Sequence, residues 1–294
     1  MVLPGCAELH CRSNFSFLTG ASHPAELVQR AQALGYAALA ITDECSLAGV
    51  VRAHLEAQRC GAHLIIGADM RLTAGAGQGV VDGLPRTGPH LVSLTQTRRG
   101  YGDLSRWITV ARRRAAKGAY LAHASDLADR VPNAPFLAGR PEWIALLVPG
   151  LGRSFETVFA HVMGLKAWFA DRAFIAIELL HRAGEQALLE GVRRVAELTV
   201  LQIVASGDVL MHLRSRKALQ DTLTAARLAT PVAQCGPGLR SNAEPHLRSR
   251  GRLAALYEPQ WLANTLVVAG CCSFSVAQLR YECPREIVPA GHTP

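Results

Sequence analysis

His10 and Arg12 are the first residues of the chain whose types and spacing bear on chemistry. They stand two positions apart in an apolar stretch, residues 7–11, that predicts a short strand. Side chains two positions apart on a strand project from the same face, so two histidines at this spacing would hold one metal ion together. Arg12 instead carries a permanent positive charge, which repels a metal ion. The pair therefore offers one possible metal ligand, His10, beside a fixed positive charge.

Further acidic and histidine side chains come directly after predicted strands. They are Asp43, Glu44, Asp69, Glu178, His181 and Asp208. In a barrel of alternating strands and helices, functional side chains come from the C-terminal ends of the strands. We therefore expect these residues to converge with His10 on one mouth. The alternative for Asp43 and Asp208 is structural, because an aspartate at a strand–helix junction commonly caps the helix.

Short apolar runs alternate with amphipathic helical segments along most of the chain. Strands are predicted at 37–42, 63–66, 90–94, 173–179 and 200–205. Helices are predicted at 24–35, about 47–59 (with Leu47, Val51 and Leu55 on one face), around 104–111, at 186–198 and at 258–269. Since the strands are apolar throughout and separated by helices, the sequence predicts an α/β fold with a parallel sheet, either a barrel or doubly wound.

Four segments depart from this alternation. Residues 73–89 are rich in Gly and Pro and predict a surface loop or hairpin, and residues 131–149 are punctuated by Pro and predict irregular structure. The alternation stops after about Pro231, where 235–238 predicts a loop. Residues 284–294 form a Pro-rich tail typical of a linker.

The composition is that of a folded, basic protein. Of the 294 residues 49% are hydrophobic and 18% charged, and 31 Lys and Arg against 23 Asp and Glu give a net charge of +8. A charge of this sign favours contact with a polyanion. It is equally typical of a basic protein that has no such partner. The eight cysteines include no CxxC pair, which predicts reduced thiols rather than a zinc site. With no secretory signal pattern and no apolar run of about 20 residues, we expect a soluble, cytoplasmic protein without membrane contact.

Several sequence blocks occur in a characteristic order. They are ELHCRSNFSFLTGASHPAELV, ALAITDECSLAGVVRAH, LIIGADMRL, GYGDLSRWITVARRRAAKGAY, GDVLMHLRSRKALQDTLTAARL and EPHLRSRGRLAALYEPQWLANTL. Together they resemble the N-terminal PHP (polymerase and histidinol phosphatase) domain of bacterial C-family DNA polymerases, and the last two resemble its error-prone branch. The resemblance implies a distorted seven-stranded β/α barrel at 5–230. It also implies a helical extension and Pro-rich linker at 231–294, leading to a polymerase palm that this sequence lacks.

The departures from the active PHP pattern bear on the mechanism. The resemblance implies histidine at the positions of Arg12, Glu44 and Leu210, a ligand at Thr19 and glutamate at Asp69, whereas His10 and Asp208 are retained. Two alternatives follow. One weakly held Mg²⁺ or Mn²⁺ could lie among His10, Glu44, Asp69 and Asp208. The alternative that we favour is an ion pair of Arg12 with Glu44 or Asp208 in place of the metal. Asp43 and His181 complete the expected remnant site.

Basic residues at the start of a predicted helix form a second candidate site. Arg214, Arg216 and Lys217 stand where the helix dipole disfavours cations, which indicates phosphate contacts or, equally, a solvated face.

The resemblance implies the N-terminal portion of an error-prone DNA-directed DNA polymerase, active in damage-induced translesion synthesis and repair. In this reading the chain is structural and holds no tightly bound cofactor. Its partners are the palm and fingers of the whole polymerase, which would bind DNA and use Mg²⁺. The alternatives are a stand-alone PHP phosphoesterase and a non-catalytic interaction module from a truncated gene, so that whether the chain itself is an enzyme stays open.

Overall fold

One sheet of eight strands forms the centre of the protein. The computed structural model describes residues 3–73, 88–128 and 142–279. The strands are β1 (Ala7–Glu8), β2 (Ala38–Ile41), β3 (Leu64–Thr73), β4 (His90–Thr95), β5 (Ala122–His123), β6 (Trp143–Leu147), β7 (Ala173–Glu178) and β8 (Ile203–Ser206). Each of the strands predicted from the sequence has its counterpart here.

Seven of the strands make a nearly closed barrel. They follow one another in the order β1-β2-β3-β4-β6-β7-β8, and β5 pairs with β3 off this path. The segments after β1 and β8 close the ring, since Val209 donates its N–H to the carbonyl of His10 (3.0 Å) and Arg12 donates to that of Val209 (2.8 Å). The predicted α/β class and seven-stranded barrel are confirmed.

β4 runs against its neighbours, although the sequence predicted an entirely parallel sheet. It is antiparallel to β3, with Arg71 opposite His90, and antiparallel to β6, with Leu91 opposite Leu147. A parallel neighbour needs a crossover, usually a helix, whereas an antiparallel one needs only a reversal. The sequence between β3 and β4 is rich in Gly and Pro and has no helical pattern. The N-terminal end of β4 therefore lies beside the C-terminal end of β3.

Helices cover the barrel in the described part of the chain. They are α1 (Pro24–Ala33), α2 (Val50–Cys60), α3 (Arg98–Arg113), α4 (Ser125–Ala128), α5 (Phe155–Phe169), α6 (Glu185–Thr199), α7 (Lys217–Leu228), α8 (Arg250–Leu256) and α9 (Pro259–Cys271). Polar side chains start several of them; the hydroxyl of Thr97 accepts the N–H of Gly100 (3.0 Å) at the start of α3. Gly61 ends α2 in the left-handed conformation that glycine adopts without strain.

α9 lies against the N-terminal ends of β1 and β8. Thr265 accepts the N–H of Ala7 (2.9 Å), and the amide of Asn264 donates to the carbonyl of Ile203 (2.8 Å). Val268 and Ala269 join the apolar cluster formed by side chains from all seven barrel strands. This contact runs across the domain boundary predicted at residue 230. α9 does not cover the opposite end of the barrel, where the parallel strands end, and a functional site can form there.

Pro259–Gln278 is long and apolar enough to cross a membrane, with a mean hydropathy of 1.3, and 44% of it is buried within the fold. The hydrogen bonds and apolar contacts of α9 with the barrel are those of a core helix.

Three local predictions were wrong. The segment 131–149 includes β6, since its prolines stand on either side of the strand and not within it. β3 continues to Thr73, because pairing with β4 extends it, so that Asp69 lies inside a strand and not after one. The buried face of α2 carries Ala53 and Ala57 instead of Val51 and Leu55, which are each 61% exposed.

Two further predictions concern segments that lie mostly outside the described residues. Of the Gly- and Pro-rich segment 73–89, residues 74–87 lie outside the described residues, as does the whole tail 284–294.

Val267 and Val268 provide a matched test of the role of α9. Val268 is fully buried and Val267 is 53% exposed. We expect Val268→Ala to lower the free energy of unfolding by about 1–3 kcal/mol, because it removes buried methyl groups and leaves a cavity. Val267→Ala should change it by less than about 0.5 kcal/mol. Urea denaturation measures both. Equal effects would mean that packing of α9 against the end of the barrel does not stabilise the fold.

Candidate functional site

Arg12 lies at the centre of the barrel mouth, where only 3% of it is exposed. Its Nη2 donates a hydrogen bond to Asp208, and its Nη1 lies 3.3 Å from Oδ2 of Asp69. The two carboxylates compensate the guanidinium for the hydration that it has lost on burial. Of the two ion pairs expected from the sequence, the structure contains the one with Asp208.

His10 lies beside Arg12 and is fully buried. Its Nδ1 is 2.7 Å from Oε1 of Glu178, and its Nε2 is 3.3 Å from Oδ2 of Asp69. Burial alone lowers the pKa of His10, but the charge of Glu178 and the hydrogen bonds to both carboxylates outweigh it and raise the pKa to about 10. His10 is therefore positively charged at neutral pH.

Asp69 joins three basic side chains from different parts of the barrel. Besides His10 and Arg12, Nε2 of His90 is hydrogen-bonded to its Oδ1. Burial raises the pKa of Asp69, but His90 and His10 outweigh this effect and hold the pKa well below its usual range. Sequence reasoning missed His90, which stands at the start of a strand and would lie at the far end of a parallel sheet. The signal was the Gly- and Pro-rich sequence before His90, because the hairpin that it predicts as one alternative would reverse the next strand and bring His90 to the mouth.

Asp208 is held between two arginines. It accepts from Arg12, and Nη2 of Arg240 lies 2.8 Å from its Oδ2. Burial raises the pKa of Asp208, but Arg240 and Arg12 bring it below its usual range. Its backbone has φ of +42°, a conformation that aspartate tolerates better than most residues. Arg240 comes from the region after residue 231 and was not identified from the sequence.

Gly207 fixes the path of the chain into Asp208. Its N–H donates to Oε1 of the buried Glu8 (2.9 Å), and a Cβ here would lie 2.5 Å from Oε2 of Glu8. A larger residue here would have to displace the buried carboxylate of Glu8. We call His10, Arg12, Asp69, His90, Glu178, Asp208 and Arg240 the Arg12 network.

Three of the predicted site residues line a cavity at the mouth and do not join the Arg12 network. Thr19, Glu44 and Leu210 surround a cavity of about 380 Å³, which Arg12 also reaches. Glu44 accepts a hydrogen bond from the hydroxyl of Tyr120 (3.1 Å). The carboxylate of Glu44 thus forms a hydrogen bond within the wall of the cavity.

Asp43 and His181 have other surroundings. Asp43 accepts from the N–H of Ser13 (2.7 Å) and from the hydroxyls of Ser13 and Ser16 (2.8 Å each), so that it holds the loop after β1 and caps no helix. Burial raises its pKa, and the serine hydrogen bonds oppose this effect. His181 is exposed at the surface.

The three basic residues before and in α7 have carboxylate partners within the protein. Arg214 lies 3.9 Å from Glu244, Arg216 donates to Glu26 (2.5 Å), and Lys217 pairs with an aspartate one turn along α7. Their expected contact with phosphate stays a prediction.

Within the described residues, two groups of side chains have the spacing to hold a metal ion. They are His10, Asp69 and His90, and His10, Glu178 and Asp208. The donor atoms fit a single ion, but Arg12 contacts both Asp69 and Asp208 and places its charge between the groups. Nε of Arg12 is buried without a hydrogen-bond partner. The desolvation of this donor therefore already costs free energy of folding. The residues therefore do not fit a centre of several metal ions.

Comparison with known proteins gives consistent results. The PHP domain family matches residues 8–159. The whole chain is 51% identical to the error-prone DNA polymerase of Bordetella parapertussis and 49% identical to that of Dechloromonas aromatica. It spans 27% of the length of each, in the N-terminal PHP region. Among solved structures, it is similar to an amidohydrolase from Chromobacterium violaceum, with 17% identity and a TM-score of 0.48 over 70% of this chain and 88% of that one.

Removal of the Arg12 side-chain charge should destabilise the fold strongly. In Arg12→Met, Asp69 and Asp208 lose a buried cation, and we expect the free energy of unfolding to fall by about 3–5 kcal/mol. Arg59→Met is the control, because Arg59 is exposed and pairs with Glu56 on the surface of α2, where an ion pair contributes little. Chemical denaturation compares the two. Equal stabilities would show that Arg12 does not hold the mouth together.

Stability should also depend on pH through His10. Its pKa is raised from 6.5 to about 10 on folding, so its contribution is fully present below pH 6.5 and is lost as the pH rises towards 10. We expect the free energy of unfolding to fall between pH 7 and 9, and to fall less steeply in His10→Gln, which does not titrate. Urea denaturation at a series of pH values gives both slopes. Identical slopes would mean that His10 is not charged in the folded protein at neutral pH.

Proposed function

The chain belongs to the PHP domain family, and we propose that it is the N-terminal portion of an error-prone DNA-directed DNA polymerase, in which it acts as a structural domain. The observation that carries the proposal is the identity of 51% with such a polymerase along the entire chain. The chain spans 27% of that relative's length. Activity on DNA therefore belongs to the whole protein.

The structural role is supported by the way the Arg12 network joins the strands. Arg12 follows β1, Asp69 lies in β3, and Asp208 follows β8. His10 adds the end of β7 through Glu178, and His90 adds the start of β4. One set of buried charges thus connects strands that are distant in the sequence. Ion pairs of this kind resist the separation of their partners, because each unpaired charge would remain buried.

Hydrolytic chemistry is not part of this proposal. A bound metal ion would polarise a phosphoryl oxygen or lower the pKa of a bound water. Here Arg12 contacts two of the carboxylates that would hold such an ion. We propose that the ion pairs stand in place of the metal centre, and that at most one Mg²⁺ or Mn²⁺ binds weakly at His10, Asp69 and His90.

The remaining elements of the proposal concern the whole polymerase. Nucleotidyl transfer needs carboxylates that hold two Mg²⁺ ions about 3.5–4 Å apart, which we assign to the palm further along the polypeptide. Palm and fingers are then the partners of this domain, and DNA is bound through the whole protein. We propose that such a protein acts in translesion synthesis and DNA repair, in the cytoplasm.

A stand-alone phosphoesterase is the second candidate. The two metal-spaced groups that share His10 favour it, and the position of Arg12 opposes it. The two functions differ in what the isolated chain does with a phosphomonoester.

Complementation tests the proposed function. The Bordetella parapertussis polymerase, deleted of the 27% that this chain matches, should recover primer extension when it is co-expressed with this chain. The same chain carrying Arg12→Met should restore much less, because the barrel mouth loses its central cation. Arg59→Met is the matched control and should restore as much as the unsubstituted chain. Primer extension by the purified complexes is the measurement.

The second candidate is assayed on the isolated chain. We expect no manganese-dependent hydrolysis of 4-nitrophenyl phosphate above background and well under one equivalent of bound metal. Turnover that disappears in His10→Ala would favour the phosphoesterase, and failure of every chain to restore primer extension would contradict the structural role.

A further inference from the structure

One face of α3 is both exposed and basic. Its arginines recur at intervals of about two helical turns, and a lysine continues the series just after the helix ends. The basic residues of this face are Arg98, Arg99, Arg106, Arg113 and Lys117, and we call them the α3 basic face. The other exposed residues of α3 are a glycine and a threonine, and its one acidic residue, Asp103, is buried. The charged side chains on the exposed face of the helix are therefore all positive.

The opposite face of α3 holds the helix against the sheet. The ring of the buried Trp107 stacks on that of Trp143 in β6, with 5.8 Å between the ring centroids, and its Nε1 donates to Asp126 (3.0 Å). Leu104 and Ala111 are also buried. Because this packing fixes the helix, the α3 basic face is held towards solvent.

The run of three arginines at the end of α3 is divided between the fold and the surface. Nη2 of Arg112 donates to the carbonyl of Glu44 (3.1 Å), and Nη1 of Arg114 donates to Oδ2 of Asp126 (2.6 Å). Arg113, between them, is exposed. Two of the three arginines thus have acceptors within the fold, and the third adds its charge to the surface.

Carboxylates balance only part of the α3 basic face. Nη1 of Arg99 lies 3.3 Å from Oε1 of Glu142, which neutralises the start of the face. Among the residues that the structure describes, no carboxylate lies within ion-pair distance of Arg98, Arg113 or Lys117. Three positive charges therefore remain for solvent or for a ligand.

The spacing and composition of the face match double-stranded DNA better than a membrane or a protein. Arginines seven positions apart lie about 10.5 Å apart along a helix. The major groove of DNA, which has phosphates on both sides, is about 12 Å wide. A membrane surface needs an apolar face, and a protein interface needs aromatic or aliphatic anchors. The exposed face of α3 contains neither.

We propose that the α3 basic face binds the phosphate backbone of double-stranded DNA without reading its sequence. Lys and Arg side chains displace the counterions that surround phosphates, so that such contacts weaken as salt is added. The choice of DNA among polyanions rests on the proposed function. The contact adds to the affinity of the whole polymerase and holds the DNA beside the barrel.

Fluorescence anisotropy of the full 294-residue chain with a labelled duplex tests this proposal. For a duplex of about 20 base pairs at about 50 mM salt, we expect a dissociation constant of about 100 µM or tighter. Three phosphate contacts should make binding about 40-fold weaker at about 200 mM salt than at about 50 mM. The chain that carries Arg98→Gln, Arg113→Gln and Lys117→Gln should lose most of this salt dependence and bind about tenfold more weakly, because it lacks those contacts.

Arg193→Gln is the matched control for a single substitution. Arg193 is exposed on α6, which packs against β7, whereas α3 packs against β4. Its replacement changes the net charge as much as Arg113→Gln does. Arg113→Gln should lower the slope of log affinity against log salt by about 0.9, and Arg193→Gln should leave the slope unchanged. Since the substituted residues are exposed, each variant should fold, which thermal denaturation checks.

Two other polyanions identify the partner. Single-stranded DNA of the same length and a glutamate-rich peptide should each bind more weakly than the duplex. Binding of either that equals or exceeds binding of the duplex would overturn the proposal, and for the peptide it would indicate an acidic protein as the partner. Absence of duplex binding at about 1 mM chain (about ten times the expected constant), or an equal loss in Arg113→Gln and Arg193→Gln, would also overturn it. Because the isolated chain is used, these outcomes are independent of the complementation that tests the proposed function.

Discussion

The ion pairs of Arg12 with Asp69 and Asp208 are the constraint on which the rest of the barrel mouth depends. A guanidinium that is only 3% exposed needs acceptors in place of its lost hydration, and here two carboxylates provide them. Those carboxylates must come from strands far apart in sequence, so the ion pairs fix the relative positions of β3 and the segments after β1 and β8. The charges around these pairs also shift the pKa values: His90 and His10 lower that of Asp69, Arg240 and Arg12 lower that of Asp208, and Glu178 and Asp69 raise that of His10.

The other end of the barrel is held by apolar packing. α9 places Val268 and Ala269 in the inner core and binds the starts of β1 and β8 through Thr265 and Asn264. One end of the molecule is thus closed by burial of apolar surface, and the other is held together by buried charge pairs.

The direction of β4 decides which of its side chains reach the mouth. Because β4 is antiparallel, His90 lies at the mouth, where it binds Asp69 of the Arg12 network. Arg71, its partner in the register, lines the larger cavity at the mouth.

The sequence by itself determined the α/β class, most of the strands and the polar residues at their ends. The two-residue spacing of His10 and Arg12 was also evident, because it depends on local periodicity and residue type, whereas the loss of metal ligands was implied by the resemblance to the PHP domain. Only the tertiary structure decided that Arg12 pairs with Asp208 and not with Glu44, since that choice is one of distance across the barrel. It also brought in His90 and Arg240, because strand direction and the path of a distant segment follow from long-range pairing and packing, which no local pattern encodes.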